Sequence, residues 1–429
     1  MSPFRTSRLF SVLVFAWAAA VEGAGIQAFT GARILDGTGK ASIERGTIVV
    51  RDGRIEEVGP VRRVRIPKGA ERIDLAGKTI VPGLVNTHGH VGEAQGLRSG
   101  AEFYTSENLL RQLRLYARYG VTTVFSLGGD LDLGFQLRDA QDAAAATIDR
   151  ARIFVAGAVI NGKTPEEART MVDQVAAMKP TLIKIRYDDN LGATVKMTPE
   201  IARAVIERTH YHKLPLAAHL FYLEDARYLL ETGADYIAHS IRDKEVDDGL
   251  IVLLKKRDVC VCPTLTREVS TFVYESRPAF FDDPFFVRDA DRQALDELLD
   301  PKRQEAMRRS ASAQRYKAAL EIASRNLKKL SDAGVRIAFG TDSGPPGRFQ
   351  GYFEHMEMDM MAKAGMTAGQ ILKSATGDAA RCMNVAGKLG TIEKGAWADL
   401  LVLDKNPETD IANMRAIHSV WIAGNRIHR

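Results

Sequence analysis

From about Val81 to Val385 the chain alternates short apolar runs with helix-period segments, and it does so eight times. The runs are TIVPGLVNTH, VTTVFSL, RIFVAGAVI, TLIKIRY, LPLAAHL, YIAHS, VCVCPTL and RIAFGTD, with stretches such as EIARAVIERTH and LEDARYLLETG between them. Strands joined through helices lie parallel, because each helix carries the chain back along the sheet. Eight such units predict an α/β fold built as a (β/α)8 TIM-like barrel. One connection breaks the rhythm. Residues 266–333 are long, charged and aromatic, then strongly helical, which predicts an insertion acting as a lid or substrate wall.

The two ends have another texture. Residues 25–80 and 386–429 are strand-like, with tight turns at Asp36-Gly37, Asp52-Gly53 and Gly424-Asn425. Asp-Gly between β-branched runs is a strong hairpin signal. Both ends are therefore expected to build one small composite β-sandwich beside a body spanning 81–385. Residues 1–24 carry Arg5 and Arg8, then an apolar run from Leu9 to Ala20 and small residues. That order predicts a secretory signal peptide, shorter than the ~20 apolar residues of a membrane span. An exported protein with no stable membrane insertion is expected.

A net charge of +5 over 429 residues, with no long run of like charge, excludes a nucleic-acid footprint. Three cysteines cannot make a disulfide framework. Cys260 and Cys262 alternate with Val261, so they share one strand face and read as core packing.

The chemistry gathers at the strand ends. His88 and His90 close the first run, His219 the fifth, His239 the sixth and Asp342 the eighth, and Lys184 lies within the fourth. Histidines at i and i+2 on a strand project from one face and can reach one metal ion. In a parallel barrel the C-terminal strand ends converge on one mouth, so these six residues meet there. A lysine in an apolar strand costs several kcal/mol unless it is paired, neutralised or modified.

The segments VPGLVNTHGH, LIKIR, PLAAHL, ADYIAHS, FGTDSG and GTIEKGAWADLLVLDKNP resemble the metal-dependent amidohydrolase superfamily, over nearly the whole chain past residue 24. Within it they are similar to an exported imidazolonepropionase-related and Xaa-Pro dipeptidase-like branch. The resemblance implies two divalent metal ions, with Zn2+ favoured by nitrogen and oxygen donors. It makes His88, His90 and Asp342 ligands of one ion, and His219 and His239 ligands of the other. Lys184 becomes a CO2-derived carbamate between them. A metal-bridging hydroxide would attack an amide carbonyl, with Asp342 moving the proton and His239 beside it. The family's deaminases and ring-openers carry glutamate three residues after the fifth-strand histidine, where this chain has Tyr222. That departure favours cleavage of a dipeptide or N-acyl amino acid over a cyclic-amide hydrolase, the alternative. A non-catalytic binding or assembly role is the reading from another class, and the complete ligand set argues against it. Expected substrate contacts are Tyr222, Arg242, Arg267 and His355, the arginines holding a carboxylate. The resemblance also implies a homo-oligomer.

Overall fold

The computed structural model describes residues 25–428, so the expected signal peptide lies outside the described residues. Its N-terminal strands are β1 (Gln27–Ile34), β2 (Ile43–Arg51), β3 (Arg54–Pro60), β4 (Glu71–Asp74) and β5 (Thr79–Pro82). The body follows with β6 (Leu84–Gly89), β7 (Val121–Ser126), β8 (Arg152–Val155), β9 (Ile183–Arg186), β10 (Leu216–His219), β11 (Tyr236–Ala238) and β12 (Cys260–Cys262). The chain closes on β13 (Leu400–Leu403), β14 (Ile417–Ile422) and β15 (Asn425–Arg426).

Strands from both ends join in one eight-stranded hydrogen-bonded sheet. Its order is β15-β14-β13-β5-β1-β2-β3, with β4 beside β1. Asp52 and Gly53 turn β2 into β3 with φ of 50° and 75°, the left-handed pair that a two-residue hairpin loop demands. The sheet has its own core of Phe29, Ile48, Leu400 and Trp421. It is fastened to the body by Arg152, whose Nε lies 2.9 Å from Asp399 Oδ2 while its guanidinium sits over Trp397.

The body is α/β, in two parallel sheets ordered β8-β7-β6 and β9-β10-β11-β12. Single parallel bridges link their edges: Ile160 to Ile185, Val261 to Ile337, and Gly89 to Ser343. The first expected run divides at Gly83 into β5 of the terminal sheet and β6 of the body. The eighth, RIAFGTD, forms no strand. Gly340 explains part of this: a Cβ there would stand 2.6 Å from Cys262 Sγ and 2.9 Å from the His88 nitrogen. That close approach keeps the segment irregular, and its backbone pairs piecemeal, Thr87 N to Phe339 O and Ala338 N to Val261 O.

The 266–333 segment is mostly helical, ending in the long helix Ala311–Asp332. Tyr274, Phe281 and Phe286 are buried with Tyr119, Tyr352 and Phe353 in a satellite core. Among the described residues no helix is long and apolar enough to cross a membrane.

The cysteine reading needs correction. Cys260 is not simply packed in the core: it forms a disulfide with Cys382, 122 residues away, and Cys262 remains a buried free thiol. The bond ties the start of β12 to the C-terminal helical segment. Cross-linking a loop of that length stabilises by about 3–5 kcal/mol, through the entropy removed from the unfolded chain. Cys382→Ser is therefore expected to lower the unfolding free energy by that amount in a denaturant titration. An unchanged midpoint would mean that the cross-link constrains nothing.

Candidate active site

All six residues expected at the mouth are brought together. His88 and His90 follow one another on the same face of β6 and just beyond it. Their Nε2 atoms lie 3.6 and 3.0 Å from Asp342 Oδ1. The His239 ring stands 4.7 Å from that of His88 and 4.2 Å from that of His219, centroid to centroid. One donor atom each from His88, His239 and Asp342 lies within 4.8 Å of the others, and all three residues are buried. Lys184 is 4% exposed, its charge acts on all four imidazoles, and its Nζ has no hydrogen-bond partner.

Outer partners decide which ring nitrogen faces inward. His90 Nδ1 is 3.1 Å from the Gly128 carbonyl, and His239 Nδ1 is 2.7 Å from Thr264 Oγ1, so both present Nε2. His219 is the reverse, with Nε2 2.7 Å from Asp188 Oδ2 and Nδ1 turned to the cluster. Such outer contacts fix tautomer and orientation. Thr264 and Asp342 hold left-handed backbone at φ 47° and 57°, strain of the kind stored at functional sites.

The electrostatics suit neutral imidazoles at three of the four histidines; at His90 burial pulls down, but the hydrogen bond and charge of Asp342 outweigh it and raise the imidazole above its ordinary value. Burial pushes His219 down to about 3, and holds His88 and His239 well below 6.5. Burial also lowers Lys184, to about 8. For Asp342 burial pulls the other way, but Arg348, His88 and His90 outweigh it and keep the carboxylate well below its ordinary value. Arg348 Nη1 lies 2.5 Å from Asp342 Oδ2. Burial also pushes the free Cys262 thiol up to about 12.

The sequence model of the amidohydrolase family matches residues 79–427. The chain belongs to the amidohydrolase family. It is a metal-dependent superfamily member and a hydrolase acting on carbon–nitrogen bonds. Imidazolonepropionase from Geobacillus sp. (strain WCH70) is 23% identical over 411 residues, covering 84% of each chain. A provisionally named prolidase from Bifidobacterium longum is 26% identical and superposes with a TM-score of 0.76 over 95% of each chain. A Xaa-Pro dipeptidase with methionine in its active site has the same fold: TM-score 0.75, 22% identity, 94% of this chain and 100% of that one.

The expected substrate contacts of this amidohydrolase fare less well. Arg242 is 0% exposed, with Nε 2.9 Å from Glu268 Oε1 and Nη1 bonded to the Leu220 and Ser240 carbonyls. Enclosed beside Glu268 in this way, it presents no exposed donor to a substrate, although its Nη2 has no hydrogen-bond partner. Arg267 is buried beside the same Glu268, 3.2 Å away, and stacks on Tyr316. The two arginines need Glu268 because a buried charge without a partner is costly. The Tyr222 hydroxyl donates to Asp189 Oδ1 at 2.9 Å. His355 lies elsewhere, with Nε2 2.8 Å from the Tyr119 carbonyl and its ring against Phe285.

Sequence reasoning missed the supports. Glu354, 0% exposed, accepts from Asn86 Nδ2, Thr341 Oγ1, Ser343 Oγ and the Gly351 nitrogen, tying β6 to the Asp342 loop. Glu357, one turn later, takes the Leu265 and Thr266 nitrogens after β12. The signal was an acidic pair at i and i+3 on an otherwise buried helix, Tyr352–Lys363. Arg348 and Asp188 lie in loops and leave no periodic signal.

Proposed function

We propose that this amidohydrolase is an exported two-metal enzyme that cleaves the amide bond of a dipeptide or N-acyl amino acid. The observation that carries the reading is Lys184: a buried amine with no partner, set among four imidazoles and a carboxylate. Such an orphan is explained by a group that converts it to an anion and binds it. Carboxylated by CO2, Lys184 becomes an oxygen ligand matched to two cations. His88, His90 and Asp342 would hold one ion, His219 and His239 the other, in an oxygen and nitrogen set that suits Zn2+. Bound there, the ions supply Lewis acidity to the scissile carbonyl and make water acidic enough to deprotonate at neutral pH.

The chain's own residues do the rest. Asp342 accepts the proton of the attacking water and delivers it to the leaving nitrogen, which otherwise departs poorly. Arg348 fixes Oδ2 and leaves Oδ1 toward His88 and His90. Thr264 and Asp188 hold the two histidines of β10 and β11 in register with Lys184. In this reading the two sheets and the irregular eighth segment form a distorted barrel, and the terminal sheet folds over as a small sandwich. Export draws support from the Cys260–Cys382 bond, since disulfides persist in oxidising compartments. The cyclic-amide alternative draws support from the imidazolonepropionase relative of matching length. Tyr222 in place of the resemblance's glutamate stands against it.

Elemental analysis with the intact mass of a Lys184 peptide tests the reading. Two metals per chain and a carboxylated Lys184 are expected, with turnover of open-chain amides. One metal on an unmodified lysine, with turnover confined to cyclic amides, would overturn it.

A further inference from the structure

A cavity of about 510 Å³ opens between the segments that follow β8 and β9 and the start of the helix Pro199–Tyr211. Nothing in the mechanism above uses it. Its walls include Ile160, Val195, Met197 and Ile201, and Val195 is 99% exposed, an apolar side chain with nothing over it. Set into these walls are Lys163, Arg186, Asp188 and Lys196.

Register ties this cavity to the cluster. Arg186 is two residues beyond Lys184 on β9, so both side chains leave the same face of the strand. It is also the direct cross-strand partner of His219 on β10. Arg186 is therefore one step further along β9 than Lys184, with its backbone level with that of His219. From the other side, Asp188 both lines the cavity and holds His219 Nε2.

The charges in the cavity are not balanced. Asp188 is fully buried and committed to His219, so its carboxylate is closed to a ligand. Lys196 is spent on Asp225, 2.8 and 3.0 Å from the two carboxylate oxygens. Arg186 is exposed and donates only to the neutral Asn190 side chain, and among the described residues neither Arg186 nor Lys163 forms an ion pair. An apolar wall with two open cations at the edge of a hydrolytic site selects a ligand with both characters.

We propose that this cavity is a substrate subsite for an apolar chain ending in a carboxylate, such as an acidic side chain or acidic acyl tail, and that Arg186 sets the preference. The inference rests on the amide-hydrolase reading and names the substrate class for it. Arginine forks onto a carboxylate bidentately, and its charge-assisted bonds are about twice as strong as neutral ones. The planar group needs no rearrangement beyond releasing Asn190.

The test compares acid with amide. On the zinc-loaded full chain, kcat/KM is measured for Glu-Ala against Gln-Ala and for Ala-Glu against Ala-Gln. One acidic dipeptide is expected to exceed its amide counterpart by about 10-fold or more, carried mainly by KM. In Arg186→Gln that ratio falls toward one, and Arg186→Lys retains part of the preference. A thermal melt checks that the exposed substitution leaves the fold alone. Binding of N-acetyl-L-glutamate and N-acetyl-L-glutamine to metal-free protein gives a second readout, with the same preference and the same dependence on Arg186 expected. Turnover with no acid preference, or a preference untouched by Arg186→Gln, overturns the subsite. Absent turnover with Arg186-dependent binding overturns the dipeptide reading and keeps the subsite. Neither turnover nor binding overturns both.

Discussion

Asp342→Asn is expected to lower kcat by about 10³-fold or more while leaving the fold in place, since positioned proton transfer contributes ~10²–10⁴-fold. The substitution is nearly isosteric, and the amide oxygen can still accept from Arg348 Nη1, now 2.5 Å from Oδ2. What it loses is the charge. An amide cannot take the proton of the attacking water or hand one to a leaving nitrogen, and it is a poorer ligand than a carboxylate. The two losses separate by experiment. Metal content measured beside kcat shows whether the site still fills, and excess zinc restores occupancy but not proton transfer. Turnover within 10-fold of wild type at full occupancy would remove Asp342 from the proton's route.

Two features made the site legible in the sequence. Strand ends of a parallel α/β body converge, so His88, His219, His239 and Asp342 could be placed together without a single distance. The i, i+2 spacing of His88 and His90 fixed their common face, and the apolar setting of Lys184 marked it as needing a chemical explanation. The structure brings all six together. What failed was everything decided by partners rather than by position. Arg242 looked like a substrate anchor because nothing in HSIRD reveals that Glu268, 26 residues on, will neutralise it in the core. His355 looked available because its helix gives no hint that it closes on the Tyr119 carbonyl. The disulfide escaped for the same reason: same-face spacing of Cys260 and Cys262 describes β12 but not the helix at Cys382 that packs against it. The eighth run read as a strand from its β-branched residues, yet Gly340 and the left-handed Asp342 matter more than propensity there. Arg186 escaped through the reverse error, since its neighbour Lys184 absorbed the chemistry of the strand.

Lys184→Met should give the opposite of the usual result for a buried site: a dead enzyme that is more stable than the wild type when both are metal-free. Burial lowers the amine from 10.5 to about 8, and its Nζ has no partner. The sign follows from protons bound. Below pH 8 folded and unfolded chains are both protonated, and the folded one bears the full cost of a buried ammonium, about 3 kcal/mol. Between pH 8 and 10.5 the unfolded lysine holds its proton and the folded one has released it, so wild-type stability rises with pH. Above 10.5 both are neutral and the penalty is gone. Methionine is similar in length, apolar and without a proton to lose. In CO2-free, metal-free buffer the variant should therefore exceed wild type by about 3 kcal/mol at pH 7, with the gap closing between pH 8 and 10.5. Denaturant titrations at several pH values measure this directly. Equal stability at pH 7 would mean that the amine is compensated in the folded chain, and the case for a carbamate would lose its physical basis. A gap of the expected size would mean that this fold tolerates an uncompensated charge at its centre, as sites kept for chemistry rather than stability do.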